Sequence, residues 1–471
     1  MTISDFFQIS QWFFTFYFVA MHMGYLILNV IAVVSIRGYM EQHSVNTLPN
    51  VYTGLEIPVS LLVPAYNEEL SITDSVLALL QLNYPDYEII VINDGSTDST
   101  LQVLKDNFHL TPFPEAEYNQ LETKDVRQIF ISTKHRNLRV IDKMNGGKAD
   151  SLNAGINIAR APLFCAVDAD SILQSNSLDR IVQPFLEDST TIAAGGTVRI
   201  ANGCNIHKGF VTKANLPNNI LALMQVAEYL RAFLFGRLGW SPMNAILIIS
   251  GAFGLFDKNA VIHVGGYKPD TIGEDMELIV RMHRIYRQEH RPYRITFVPD
   301  PICWTEAPED LKTLKNQRIR WQRGLSESLL ANLGLLFNRN GGIVGWVAMP
   351  YMLFFELIGP IIELFGFITV ALGFYLDYID PGIALLFFTI AIGFGMLLSV
   401  VGVLLEEMSF HIYSNPLYVI RLFFVSLLEN FGYRQLNSYW RIIAMYQVIT
   451  KKKAKWGNMT RNVSWQQNPK K

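Results

Sequence analysis

The chain reads as a mainly parallel α/β domain inserted between membrane-spanning helices. Three observations carry that reading. First, short apolar runs at 59–64, 88–93 and 163–167 each end in a polar or turn sequence. Second, helix-patterned stretches at 69–82, 97–107 and 149–160 lie between and around them. Alternation of this kind builds a parallel sheet, whose ligands sit beyond the carboxyl ends of the strands. Third, apolar stretches flank the domain on both sides, and about 20 such residues suffice to cross a bilayer.

Taken in order, residues 11–36 are nearly uncharged and long enough to span. A cleaved signal peptide would need a basic leader and a small-residue cleavage site. The only charge before this run is Asp5, so 1–36 is expected to be a retained anchor. Arg37 follows at once, and the positive-inside rule then places the chain from 37 onward in the cytosol. A linker (37–58) leads to a globular domain over 59–316. Residues 105–135 are polar and irregular and read as a surface elaboration. Residues 317–340 carry Trp321, Leu325, Leu329, Leu333 and Leu336 at helical spacing, with basic residues nearby, and read as an amphipathic helix lying on lipid. From 341 to 432 come apolar runs at 343–376, 383–405 and 416–428, read as a transmembrane bundle. Glu356 and Glu363 lie in the first run and must face a cavity or other helices. The segment 433–471 reads as a cytosolic basic tail ending in Lys451-Lys452-Lys453-Ala454-Lys455. An even number of later spans must then intervene, two or four, with four expected.

Bulk composition agrees. Hydrophobic residues are 50% and charged residues 17%, against about 25% charged in soluble proteins. A net charge of −2 offers nothing for nucleic acid. Cys165, Cys204 and Cys303 are far apart and odd in number, which suits a reducing compartment and no metal-spaced pair.

The polar strand ends hold the candidate chemistry. Asp94-Gly95-Ser96-Thr97-Asp98 is an ordinary turn and cap in most proteins, but Asp94 at a strand end can accept from a base imide or ribose. In Asn145-Gly146-Gly147-Lys148 the glycines let backbone approach a ligand, and Lys148 supplies a point charge suited to a diphosphate. Glycine spacing and context exclude a Walker A loop. Asp168-Ala169-Asp170 places two acids at i and i+2, on one side of an extended chain, a costly arrangement without a cation. Mg2+ or Mn2+ takes such carboxylates together with phosphate oxygens and water. Gly273-Glu274-Asp275 opens a helix, where acids are common dipole partners. Ser250 to Phe256 and Trp304 are expected to shape a sugar site, with core packing nearly as good a reading.

Taken in order, these motifs and Gln317-Arg318-Ile319-Arg320-Trp321 (Q-x-x-R-W) resemble membrane-embedded, processive family-2 glycosyltransferases, the group that includes poly-N-acetylglucosamine, hyaluronan and cellulose synthases. The resemblance runs from about 58 to 325. It continues more weakly at 429–435 and Trp456-Gly457. It implies a GT-A type nucleotide-sugar domain and an inverting β-glycosyltransferase. The donor implied is a UDP-sugar, most simply UDP-N-acetylglucosamine, used to extend an extracellular polysaccharide that passes through the membrane helices. By the same resemblance Tyr66 and Glu68 contact base and ribose. Asp170 is the direct ligand of Mg2+ or Mn2+, with Asp168 beside it as metal and nucleotide contact. Asp275 is the general base. Gln317, Arg320 and Trp321 reach the donor, Arg320 at the diphosphate, and Trp304, Glu274 and Trp321 face the acceptor. It places the protein as a multi-pass plasma-membrane protein with its catalytic domain in the cytosol, with the bilayer and accessory export proteins as partners. One departure is a single leading anchor where some relatives have two. No cyclic-dinucleotide-binding domain is visible, which argues against cellulose. Alternatives are a transferase moving one sugar to a lipid-linked acceptor, disfavoured by Q-x-x-R-W, and a silent nucleotide-binding subunit of an export complex.

Overall fold

The computed structural model describes residues 2–45, 56–114, 119–413 and 415–452. Helix α1 (Ile3–Val45) runs well past the apolar stretch that announced it. At 43 residues it reaches about 65 Å, roughly twice a hydrocarbon core. Its far end therefore stands clear of a bilayer. There Tyr39 donates to Asp300, which also pairs with Arg180, so the helix is tied to the sheet domain rather than followed at once by a loose linker. Linker residues 46–55 lie outside the described residues.

The sheet domain follows as β1 (Val59–Ala65), α2 (Ile72–Leu79), β2 (Tyr87–Asp94), α3 (Thr100–Phe108), β3 (Leu110–Pro112), β4 (Val126–Ser132), β5 (Leu138–Lys143), α4 (Lys148–Ile158), β6 (Leu163–Val167), β7 (Ile172–Leu173), α5 (Ser177–Glu187) and β8 (Thr191–Ile200). Then come a separate hairpin β9 (Asn205–His207) and β10 (Phe210–Lys213), α6 (Ile220–Leu230), β11 (Phe253–Asp257), α7 (Lys258–His263), α8 (Glu274–Gln288), β12 (Arg294–Thr305) and α9 (Leu311–Ala331). The three apolar runs form β1, β2 and β6, buried along nearly their whole length, as strands covered on both faces must be.

Ten strands form one sheet in the order β3-β4-β5-β2-β1-β6-β11-β8-β12-β7. It is mixed, not mainly parallel. The neighbours β5-β2-β1-β6 run parallel, as do β8 and β12, and the remaining pairings are antiparallel. Helical crossovers account for the parallel half. Nothing local to Phe253–Asp257 tells that it will enter between β6 and β8 from the opposite end. The segment 105–135 is also more than decoration, because β3 and β4 extend the sheet edge and bury Ile129 and Phe130. Since β2, β1 and β6 are parallel neighbours, their carboxyl ends bring Asp94, Tyr66 and Asp168 to one edge.

After α9 come α10 (Val344–Leu357), α11 (Gly359–Tyr375), α12 (Pro381–Ser409), α13 (Pro416–Leu428) and α14 (Tyr433–Ile449). By length and apolar composition, α1 and α12 can cross a membrane. The pair α10–α11, bent by 46°, adds a third if counted as one span. Helix α13, at 13 residues, reaches only about 20 Å and is too short. Among the described residues at most two later helices therefore reach spanning length, the lower of the two counts entertained. Nor is 433 onward simply a tail, since α14 packs against α9 and α11. Residues from 453, including Trp456-Gly457, lie outside the described part.

A buried ion pair joins sheet to membrane helices: Arg199 of β8 meets Glu406 of α12, each side chain about 2% exposed. Removing one member of such a pair strands a charge away from water, which costs about 3–5 kcal/mol. The two parts are thus one packed body.

Candidate active site

The loops after β1 and β2 brace each other. Asn67, at φ +57°, donates its N–H to Ser96 Oγ at 3.0 Å and accepts from the Thr97 N–H at 2.8 Å. Glu68 and Glu69 donate backbone N–H groups to Thr100 and Asp98. The result holds Tyr66 out, 47% exposed, at the rim of a large cavity that Glu68 also lines.

Asp94 is almost fully buried and already engaged. It accepts from the N–H groups of Gly146 (2.9 Å) and Gly147 (2.8 Å), and Lys143 Nζ lies 2.8 Å away. Lys143 has no exposed surface and also lies 2.5 Å from Asp150. Two acids around one buried lysine offset the cost of burying any of the three. In this structure Asp94 therefore shapes the glycine loop, and the Lys143–Asp150 contact has no local mark in the sequence, because a lysine inside a strand carries no signal of its partners. Gly147 takes φ +88°, which L side chains resist, and delivers Lys148 to the first turn of α4.

Lys148 is the hub. It forms an ion pair with Asp168, donates to the Gly251 carbonyl at 3.0 Å, and lies 3.9 Å from Glu274. Burial works against its charge, but Asp168 and Glu274 outweigh it and hold its pKa above the ordinary lysine value. Gly251 in turn donates its N–H to Asp275 Oδ2 at 3.1 Å. One residue of the 250–256 stretch thus links Lys148 to Asp275. Glu274 is buried beside them; burial, opposed by Lys148 and reinforced by Asp275, pushes its carboxyl up to about 7.

The two acids of Asp168-Ala169-Asp170 lie in a turn closed by Ser171 N–H to Asp168 O (2.9 Å), not on extended chain. The i, i+2 geometry of a strand does not apply, although both acids line the same cavity. Among the described residues no three His, Cys, Asp or Glu side chains gather as an all-protein metal cage. Magnesium-type sites commonly use one or two carboxylates, with phosphate oxygens and water completing the shell. A carboxylate pair at the edge of an open cavity fits that chemistry.

Helix α9 carries Gln317, Arg320 and Trp321 into the cavity wall. It does not lie on a surface by an apolar stripe. Its buried residues include Gln317, Arg318, Gln322, Ser326 and Ser328, because it is clasped between α8 and α14. It also ends at Ala331, before Leu333 and Leu336. Trp321 is 42% exposed, with its ring 6.3 Å from Tyr229 and the Arg318 guanidinium 4.5 Å above it. Glu327, four residues after Arg323, accepts from the Ile272 N–H at 3.1 Å and so grips the loop that presents Asp275.

Backbone contact completes this grip. A Cβ on Gly324 would lie 2.9 Å from Gly273 Cα. Gly324→Val should therefore push α9 from the 271–275 loop and lower turnover by about 10²-fold, the usual result of misplacing reacting groups by an ångström. Wild-type turnover in a folded Gly324→Val protein would contradict the contact.

Trp304 is a correction. It is 1% exposed and packs with Ile172 and Ala201 on the side of β12 away from the cavity. Its neighbours Thr305 and Glu306 line the cavity instead.

The cavity, about 1270 Å³, does not stop at the sheet domain. It continues between helices α1, α10, α11, α12 and α14. Its walls there set paired charges among apolar side chains such as Met21, Phe355 and Leu398: Glu356 accepts from Tyr25 and pairs with Arg441 (3.1 Å), and Glu363 pairs with Arg434 (2.9 Å). The acids in the apolar run thus face a cavity, as their position required.

Comparison with known proteins bears on the family and the fold. The model for "Glycosyl transferase family 2" matches residues 60–208, and that for "Glycosyl transferase family group 2" matches 163–425. The chain is 32% identical over 291 residues to poly-beta-1,6-N-acetyl-D-glucosamine synthase of Staphylococcus aureus (strain COL), spanning 61% of this chain and 60% of that one. It is 29% identical over 273 residues to the enzyme of the same name from Staphylococcus epidermidis, spanning 58% and 55%. The match thus covers less than two thirds of these relatives. A solved mannosyltransferase, PcManGT from Pyrobaculum calidifontis in complex with GDP-Man and Mn2+, superposes with a TM-score of 0.56 over 93% of this chain and 100% of that one. At 15% identity it shares the fold alone. With a family model matched across more than half its length, the chain belongs to glycosyl transferase family group 2.

Proposed function

We propose that the protein is an inverting β-glycosyltransferase that uses a UDP-sugar, UDP-N-acetylglucosamine first among candidates, to elongate a polysaccharide. The growing chain leaves through the membrane helices. One observation carries this most: a single cavity holds Lys148, Asp168, Asp170, Asp275 and Trp321 and runs on between apolar helices, where it meets Glu356, Glu363, Arg434 and Arg441. The names of the Staphylococcus relatives support the sugar.

In this reading Tyr66 and Glu68 receive the nucleoside, and Lys148 and Arg320 neutralise the diphosphate. Asp170, with Asp168, would hold a divalent ion, Mg2+ or Mn2+, which spreads the negative charge of the departing nucleotide. Asp275 accepts the proton of the acceptor hydroxyl as its oxygen attacks the anomeric carbon. Trp321 offers a ring face to the acceptor sugar. The sheet domain sits on the cytosolic side of the plasma membrane, where nucleotide sugars are available.

Purified protein incubated with a panel of radiolabelled UDP-sugars tests the donor. Incorporation from UDP-N-acetylglucosamine is expected, and product length on a gel separates polymer from single transfer. Trp321→Ala, folded and monodisperse, should bind UDP within about twofold of wild type yet extend product at least about tenfold more slowly, on the scale of a lost stacking contact. Product of normal length at normal rate would remove Trp321 from the acceptor site.

A further inference from the structure

Arg318 is the first of the two arginines in Gln317-Arg318-Ile319-Arg320-Trp321, and two other helices fix it in place. Glu228 of α6 accepts from its guanidinium as a fork, Nη1 to Oε1 at 2.7 Å and Nη2 to Oε2 at 2.8 Å. The Tyr433 hydroxyl, at the start of α14, donates to the same Glu228 Oε2 at 3.0 Å. Three residues after Glu228, Arg231 opens the π-helical turn that continues α6, and it pairs with Glu429. The stretch 429–435 therefore grips α6 at two points one helical turn apart.

This clamp reaches Trp321. Bidentate pairing fixes the orientation of a guanidinium as well as its position, which a single hydrogen bond does not. The guanidinium so fixed lies over the indole, 4.5 Å from the ring centre, within cation–π range. Tyr229, the residue after Glu228, sets its ring 6.3 Å from the same indole. Adjacent residues of α6 thus border Trp321, one directly and one through Arg318. The Arg318 side chain is buried, whereas Trp321 is partly exposed and lines the cavity. One indole face is taken by the guanidinium, so a sugar ring must come to the other.

We propose that Glu228, fixed by Tyr433, is a positioning residue that acts through Arg318 to hold Trp321 with one face turned to the acceptor sugar. The proposal rests on the transferase reading above. It adds roles for Glu228, Arg318 and Tyr433, none of which the motifs mark.

The test is a double-mutant cycle on the full chain in detergent, with wild type, Glu228→Gln, Trp321→Ala and the double variant. The probes are UDP, for affinity by calorimetry, and a β-1,6-linked N-acetylglucosamine tetramer, as soluble acceptor with radiolabelled UDP-N-acetylglucosamine. Glu228→Gln keeps the shape of the side chain but loses its charge and one of the two acceptor oxygens that make the fork. It should keep UDP affinity within about twofold and lower kcat/KM for the tetramer about fivefold or more, through KM, on the scale of an aromatic contact. In the Trp321→Ala background the same change should lower kcat/KM by less than about twofold, because the group it positions is gone. An equal loss in both backgrounds overturns the proposal, since Glu228 then touches the sugar itself or only supports the fold. Wild-type tetramer dependence in folded Glu228→Gln overturns it too, as does a loss of UDP affinity of about tenfold, equal to about 1.4 kcal/mol at the nucleotide rather than the acceptor. Tyr433→Phe removes one hydrogen bond to Glu228 and leaves the ion pair. It carries the same cycle if Glu228→Gln does not fold, with an expected loss of about threefold that vanishes in Trp321→Ala. Wild-type protein that binds UDP but transfers nothing to the tetramer overturns the transferase reading, and this proposal with it.

Discussion

Asp275→Asn should cut turnover by about 10²–10⁴-fold, the contribution of a positioned general base, while UDP affinity changes by less than about threefold. The substitution is conservative in this site. Asp275 sits in the first turn of α8, where Oδ1 accepts from Met276 N–H at 2.8 Å and Oδ2 from Gly251 N–H at 3.1 Å. An asparagine keeps one acceptor oxygen, hence one of these two bonds, and keeps the shape of the turn. What it loses is the second acceptor, the charge and the capacity to take a proton. A drop of less than about tenfold would reject Asp275 as the base. Lys148→Ala separates the roles, since it should weaken UDP itself. Its hub position between Asp168, Gly251 and Glu274 also makes it the more disruptive change to the site's geometry.

Chelation is the second large effect. Treatment with EDTA should lower turnover by about 10²-fold or more, on the scale of several kcal/mol of charge stabilisation at a leaving diphosphate, and Mg2+ or Mn2+ should restore it. Asp170→Asn should weaken metal-dependent UDP binding as well as rate, and Mn2+ bound in the presence of UDP can be counted directly by electron paramagnetic resonance. Asp168 is shared with Lys148 in this structure, so Asp170 is the cleaner substitution. Undiminished turnover in chelator would remove the metal from the reading altogether.

Strands β1, β2 and β6 were legible because each is a run of apolar residues closed by a polar turn, and both signals are local. The edge strands β3 and β4 were not, since three or seven residues of moderate polarity gain their strand character only from a neighbour. The cavity wall was half legible. Q-x-x-R-W marked a stretch of α9 that lines the cavity, but the apolar stripe of the same helix suggested a helix on lipid. In fact α9 is gripped on both sides, and the polar residues Gln322, Ser326 and Ser328 are buried with it. Trp304 shows the reverse error: an aromatic near a motif, turned by strand alternation into the core.

The sequence by itself determined which residues carry charge at strand ends, which stretches are apolar enough to enter a membrane, and the family those motifs belong to. These depend on residue type and short spacing. Only the tertiary structure decided that β11 runs antiparallel beside β6, that Lys143 lies between Asp94 and Asp150, and that Gly273 and Gly324 touch. Each joins residues tens to hundreds of positions apart. Strand direction, backbone approach and the pairing of buried charges are set by how the whole chain packs, and no window of neighbouring residues contains that information.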